Sequence, residues 1–305
     1  MFAGLDVAKS SLQLHLAHQF HTLTNDAKGH RQLIKLLRAH PAVQVVCEAT
    51  GGYEQPVLQA LQAAALSVSL LEAGRVRHFA KAKGLRAKTD PIDAAVLTEY
   101  GRAFQPAPTP APSPTQRQLA ALTARRRQLL DLKIIEHNRA DHYSDPFSQK
   151  QSKQLLALLE KQIAQCDEHI GQLIEQDEKL QAKAQRLDAI PGVGPTTAAV
   201  VMAEMPELGQ LSDGAAAALA GVAPYNDESG HRASPRHIAG GRKAVRSALY
   251  MAALSAVRHD RILKAFYLRL RAAGKKPKVA LTACMRKLIV LMNRLLKNPN
   301  LQLAN

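Results

Sequence analysis

The apolar and polar positions change rhythm twice along this chain. The first change comes early. Phe2–Val7 is a short apolar run, Leu12, Leu14 and Leu16 alternate with polar residues, and Phe20–Thr24 follows after a short gap. Unbroken runs read as buried strands and strict alternation as a half-exposed one, so three meandering strands are predicted here. A helix is expected around 29–38, a buried strand over Val43–Glu48, a helix over 53–65, a strand over Leu66–Leu71, and helices near 75–82 and 91–104. Three strands followed by alternating helices and strands is the order of the ribonuclease-H-like fold. The second change is to helical spacing throughout. Residues 115–143 and 148–186 are predicted as two long helices, broken at Ser144-Asp145-Pro146-Phe147. Leu159, Ile163, Cys166, Ile170, Leu173, Asp177 and Leu180 step by four and three, a heptad seam with one charged member. The seam fits an intramolecular hairpin or self-association. The scarcity of other apolar segments nearby favours self-association.

Between the two regimes lies Gln105–Pro114, proline-rich and without period, which reads as an extended linker. The domains expected are therefore 1–104 (α/β), 105–114 (linker), 115–186 (coiled-coil helices) and 187–305 (mainly helical). The last opens on Leu187-Asp188-Ala189-Ile190-Pro191-Gly192-Val193-Gly194-Pro195, which is similar to the hairpin of a helix-hairpin-helix motif. In such a turn Gly192 and Gly194 let backbone amides approach a phosphate. An ordinary tight turn between helices explains the same spacing. A long polar stretch from Gly221 to Arg242 reads as a functional loop.

Charge narrows the partners. Lys and Arg outnumber Asp and Glu 41 to 25, and the last third carries 17 basic against 7 acidic residues. That excess points to nucleic acid. Arg232, Arg236, Arg242, Lys243, Lys275 and Lys276 are the first candidates for phosphate contacts, each with a solvated surface charge as the plain alternative. No apolar run approaches the roughly 20 residues of a membrane span, and no signal peptide is read at the start. Three well-separated cysteines without zinc spacing fit a reduced, cytoplasmic protein.

Against this basic background four acids stand out. Asp6 and Glu48 interrupt or end apolar strands, where an unpaired carboxylate costs several kcal/mol. Asp90 and Asp93 open a helix, where Asp90 as N-cap, Pro91 at the first position and Asp93 on the dipole explain the tetrapeptide by themselves. Four carboxylates on one framework are also donors for one or two Mg²⁺ ions, the cofactor expected for phosphodiester chemistry. Ser229, beside Gly230 and close to Arg232 and Arg236, is a candidate nucleophile, with Ser234 a rival.

The segments GLDVAK, CEATGGYEQPV and GLRAKTDPIDAAVL around these acids, then IPGVGPTTAAVV, AGVAPYNDESG and GGRKAVRSALYMAAL, closely resemble one family in order. The chain is similar to the DEDD transposases of bacterial insertion sequences, the one-ten family, leaning to its eleven-eleven subgroup. The likeness is weakest over 105–186. It implies an N-terminal RuvC-like domain, a central coiled coil and a C-terminal transposase domain. The acidic quartet then falls on Asp6, Glu48, Asp90 and Asp93, and the serine nucleophile on Ser229. The likeness further implies guidance by a structured bridge RNA pairing with donor and target DNA, and strand transfer between two duplexes makes a dimer or tetramer the expectation. Two other readings stay open: a hydrolytic RuvC-like junction resolvase or nuclease, and a nucleic-acid-binding assembly factor without chemistry.

Overall fold

Strands β1 (Phe2–Val7), β2 (Ser11–Leu16) and β3 (Gln19–Thr24) form the expected antiparallel meander. Helix α1 (Ala27–Arg38) follows, its first turn capped by Asp26, which accepts from the Gly29 amide. Then come β4 (Gln44–Glu48), α2 (Gln55–Ala63), β5 (Ser67–Leu71), α3 (Ala73–Ala82) and α4 (Asp90–Phe104). The sheet order is β3-β2-β1-β4-β5, with β4 parallel to both β1 and β5. The mixed five-stranded sheet is the one anticipated for the N-terminal region. The structure is a computed structural model that describes residues 1–301 except 86–88, 227, 230, 231, 234, 235 and 299; for Glu228, Ser229, Arg232 and Ala233 it describes the backbone alone.

The sheet separates two apolar layers. One face buries Ala3, Leu5, Val7, Val45 and Cys47 against Leu33, Leu37, Val57 and Leu61 of α1 and α2. The other packs Val46 and Leu71 with Val76 of α3 and Val96, Leu97 and Tyr100 of α4. Parallel strands covered on both sides need apolar residues on both faces, hence the unbroken runs.

The proline-rich stretch is extended, but it is not loose. Thr109 donates its amide to the Val68 carbonyl at 2.8 Å, and its Oγ1 accepts from the Leu70 amide at 2.9 Å. Ser69 Oγ donates to the Pro106 and Ala107 carbonyls. Proline cannot supply ladder donors, so threonine and serine complete the edge. The chain divides into Met1–Pro112 and Ser113–Asn305.

The second unit starts with α5 (Pro114–Ala140) and α6 (Pro146–Glu175). Arg126 binds Asp167 through two hydrogen bonds, and Lys133 pairs with Glu160. Moving forward from Arg126 to Lys133 thus moves backward from Asp167 to Glu160, so the helices pair antiparallel within the chain. Leu132, Ile134, Ile135 and Leu158 remain exposed on this hairpin.

The predicted helix 148–186 is interrupted. Asp177 caps a new helix, α7 (Glu178–Asp188), its carboxylate accepting from the Lys179 and Leu180 amides. An aspartate stabilises a helix start better than an apolar seam, and the heptad spacing concealed that break. Next come α8 (Pro195–Glu204), α9 (Asp213–Leu219), the two-residue strands β6 (Pro224–Tyr225), β7 (Glu228–Ser229), β8 (Arg232–Ala233) and β9 (His237–Ile238), then α10 (Lys243–His259), α11 (Arg261–Ala272) and α12 (Pro277–Lys297).

Helices α8, α10 and α12 bury the larger core, including Val201, Leu249, Leu288 and Met292. Asn293 is buried there with both ends satisfied, accepting from the Gly209 amide and donating to the Leu211 carbonyl. Short pairings occur among the described residues of the polar stretch 221–242. Two antiparallel ribbons, β6 with β9 and β7 with β8, fold it back on itself. No described helix is long and apolar enough to cross a membrane.

Candidate functional site

Strands β1 and β4 run side by side in register, Gly4 beside Val46 and Leu5 beside Cys47. One residue further on, Asp6 and Glu48 are neighbours, about 4.8 Å apart in the sheet direction. Alternation settles their face. Val46 packs among α4 residues, and Gly4 lies directly beneath α4, so Asp6 and Glu48, two residues on, belong to that same face.

Helix α4 is held very close to β1. A methyl group built on Gly4 would lie 1.9 Å from the Ala94 carbonyl oxygen and 2.7 Å from the Thr98 amide nitrogen. Farther along, one on Gly101 would meet Phe2 and Val46. The helix therefore runs opposite to β1, and its first turn, with Asp90 and Asp93, lies toward the strand ends that carry Asp6 and Glu48. Thr89 rather than Asp90 occupies the cap position, which makes Asp90 the first helical residue. Asp90 is exposed, while Asp6, Glu48 and Asp93 are half-buried.

Thr98 secures this arrangement from below. Its Oγ1 lies 2.8 Å from His15 Nδ1 and donates toward the Ala94 carbonyl. Burial, then the charges of Arg102 and His18, lowers the His15 pKa, with Glu99 opposing.

Asn25 and Glu54 were not singled out in the sequence, yet they order the loops after both strand acids. Asn25 Nδ2 donates to the carbonyls of Ala8 and Tyr53, and its Oδ1 faces His30 Nε2 at 2.9 Å. It thus ties the turn beyond Asp6 to the loop beyond Glu48. Glu54, only 4% exposed, accepts from the Thr50 amide and hydroxyl and from the Gly52 amide. Burial opposes its ionisation, but those hydrogen bonds outweigh it and hold the carboxyl below its usual value. A lone polar residue at position 25 carries no local signature of bonds to Ala8 and Tyr53, while Glu54 closes a turn on residues within four positions of itself. The structure does not gather a ready coordination shell. Among the described residues, no three His, Cys, Asp or Glu side chains lie together closely enough to hold a metal ion. Carboxylates are the hard oxygen donors that divalent cations take, but here they are not drawn around one point.

In the second unit, Ser229 stands opposite Arg232 in the β7–β8 ribbon. Their side chains, and Gly230, His231 and Ser234, lie outside the described residues, as do Arg86 and Lys88 before α4. The ribbons rise from a base pinched by glycine. A methyl on Gly241 would strike Gly221, and both have positive φ, so neither position tolerates a side chain.

The predicted phosphate contacts separate. Gly192 is packed inward, its missing side chain making room for the backbone of Ala252 and Ala256 on α10. Gly194 caps α8 with open space around it. Arg242 pairs with Glu207 at 2.5 Å, so its charge is already engaged. Arg236, Lys243, Lys275 and Lys276 are exposed.

Comparison with known proteins gives a consistent result. A family model for DEDD transposases of the IS110 type matches residues 3–143, and one described as "Transposase IS116/IS110/IS902 family" matches residues 184–268. The pilin gene-inverting proteins of Moraxella bovis and Moraxella lacunata are each 29% identical over 310 residues, covering 95% of this chain and 94% of theirs. RuvC of T. thermophilus, solved with a Holliday junction substrate, aligns over 35% of this chain and 98% of its own at 15% identity, with a TM-score of 0.27. At that score the likeness says nothing further about this chain.

Proposed function

The chain belongs to the IS116/IS110/IS902 transposase family, and from that premise we propose that it is a DNA recombinase working through Ser229 and the Asp6, Glu48, Asp90, Asp93 quartet. The observation that carries the reading is the placement of the acids. Two neighbouring strands and the first turn of a closely docked helix carry them toward the same end of the five-stranded sheet.

Ser229 attacks a DNA phosphodiester, forming a phosphoserine bond and releasing a 3′-hydroxyl. Arg232 and Arg236 neutralise charge growing on phosphorus. One or two Mg²⁺ ions, held by the quartet, would stabilise the phosphate and the leaving oxygen. A 3′-hydroxyl from the second duplex then attacks the phosphoserine, reseals the backbone and returns the proton to Ser229. No ATP is consumed, because the covalent bond keeps the energy of the one broken. Strand transfer between two duplexes calls for a dimer or tetramer acting on donor and target DNA. A bridge RNA supplies sequence choice by base pairing, and the DNA flanking the gene should encode it.

The decisive experiment compares wild type with Ser229→Ala and Asp6→Ala on labelled DNA carrying an element end. The wild type should give a denaturant-resistant protein–DNA adduct, and Ser229→Ala should lose both adduct and cutting. Continued cutting by Ser229→Ala would instead identify a hydrolytic nuclease. Unchanged biological output from Asp6→Ala would identify a binding factor without chemistry.

A further inference from the structure

Helices α11 and α12 enclose a groove of about 890 Å³ that the proposed chemistry does not use. Its size falls in the range of roughly 300–1,000 Å³ found for sites that take organic groups. The floor is apolar, built from Ile262, Leu263, Phe266, Leu288 and Leu291. The walls are cationic. Arg261 on α11 and Arg286 and Lys287 on α12 line the groove, and Arg269, about two turns beyond Arg261, lines a smaller hollow that shares Arg261, Phe266 and Lys287 with it.

The nearby acids are already committed. Asp213 binds Arg294, and Asp260 caps α11 by accepting from the Leu263 amide. Beyond Asp260 the sequence contains no Asp or Glu. Among the described residues, Arg261, Arg269, Arg286 and Lys287 form no ion pair with an acid. Two of them are held over the Phe266 ring: Lys287 Nζ is 4.4 Å from its centroid and Arg269 Cζ 5.3 Å.

We propose that this groove binds an unpaired stretch of nucleic acid, with phosphates along the cationic walls and bases on the Ile262–Phe266 floor. The strand takes this form because every nucleotide carries both a charge and an apolar face, matching walls and floor together. A duplex hides its base faces and leaves such a floor without a partner. An acidic amphipathic peptide offers both chemistries too, but its charge is not repeated at every unit. The proposal rests on the recombinase reading for the presence of exchanging strands, and not on the chemistry at Ser229.

The test measures anisotropy of a short labelled single strand, as DNA and as RNA, and of a labelled duplex, across a salt series. Arg286→Glu with Lys287→Glu should weaken single-strand binding at least about tenfold. Its salt slope should fall by about 1.4, from two phosphates at roughly 0.7 each. Duplex binding and the control Lys153→Glu, exposed on α6, should stay within about twofold of wild type. An equal loss for strand and duplex, or no loss, overturns the proposal. So does tighter binding of an acidic amphipathic peptide than of the strand. If the double variant fails to fold, Arg261→Gln with Arg269→Gln is read by the same criteria. A normal phosphoserine adduct with unimpaired strand binding by the variants sinks the groove alone, whereas selective groove binding without any adduct sinks the recombinase reading alone.

Discussion

Replacing Gly4 with alanine tests whether the docking of α4 on β1 places the acids. The new methyl would sit 1.9 Å from the Ala94 carbonyl oxygen, where ordinary contact begins at 3.4 Å, so helix and strand must separate by 1.5 Å. Backbone, not a pliable side chain, lies on the far side. Overpacking of this kind costs about 1–3 kcal/mol. In a unit of this size that lowers the melting temperature by roughly 5–15 °C. The effect on chemistry should be larger. A displacement near 1 Å at a reacting centre costs on the order of 10²-fold, and here it moves Asp90 and Asp93 away from Asp6 and Glu48. Gly101→Ala is the matched control. The atoms nearest its methyl belong to the side chains of Phe2 and Val46, at 2.7–2.9 Å, and it lies nearly three turns from the first turn of α4. Single-turnover cleavage of labelled DNA, with calorimetry on each variant, separates the effects. Gly4→Ala should cut about 100-fold more slowly while remaining folded at the assay temperature, and Gly101→Ala should lose less than about tenfold. If Gly4→Ala cuts within about threefold of wild type, helix docking does not position the acids and the reasoning fails.

Two further expectations concern the loops beside the acids. Asn25→Ala removes the bonds to Ala8, Tyr53 and His30, and at about 1 kcal/mol each should cost roughly 2–3 kcal/mol in urea unfolding. It should also slow cleavage more than tenfold; full activity would show that the two loops need no tie. Burial, only partly offset by Asp26, holds His30 below its ordinary 6.5, so the folded state resists its protonation. The stability this contributes is present above pH 6.5 and lost as pH falls through the lowered value. Melting temperature should drop between pH 7.5 and 5.5, and His30→Gln should reduce that drop. An unchanged slope in the variant would exclude His30 as its source.

Much of the N-terminal unit was legible because its information is local. Runs such as Val43–Glu48 and the alternation at Leu12, Leu14 and Leu16 report burial directly, and their order predicted the sheet. Strand-borne Asp6 and Glu48 stood out because a carboxylate is costly in such a run. The second unit was legible in its helices and less so in their ends. Asp177 keeps the heptad spacing while capping a new helix, so period alone could not expose the break. The same limit applies to residues 221–242, whose ribbons depend on the close packing of Gly221 and Gly241.

Sequence by itself determined the strands and helices of the first unit, where the acids lie along the chain, and that the last third is strongly basic. Each follows from a property of one residue or its near neighbours. The tertiary structure alone decided that Gly4 admits a helix backbone, that Asn25 joins two loops, that Gly192 faces inward and that a cationic groove has an apolar floor. Those features depend on groups far apart in sequence meeting at a few ångströms, and no local pattern encodes such a meeting.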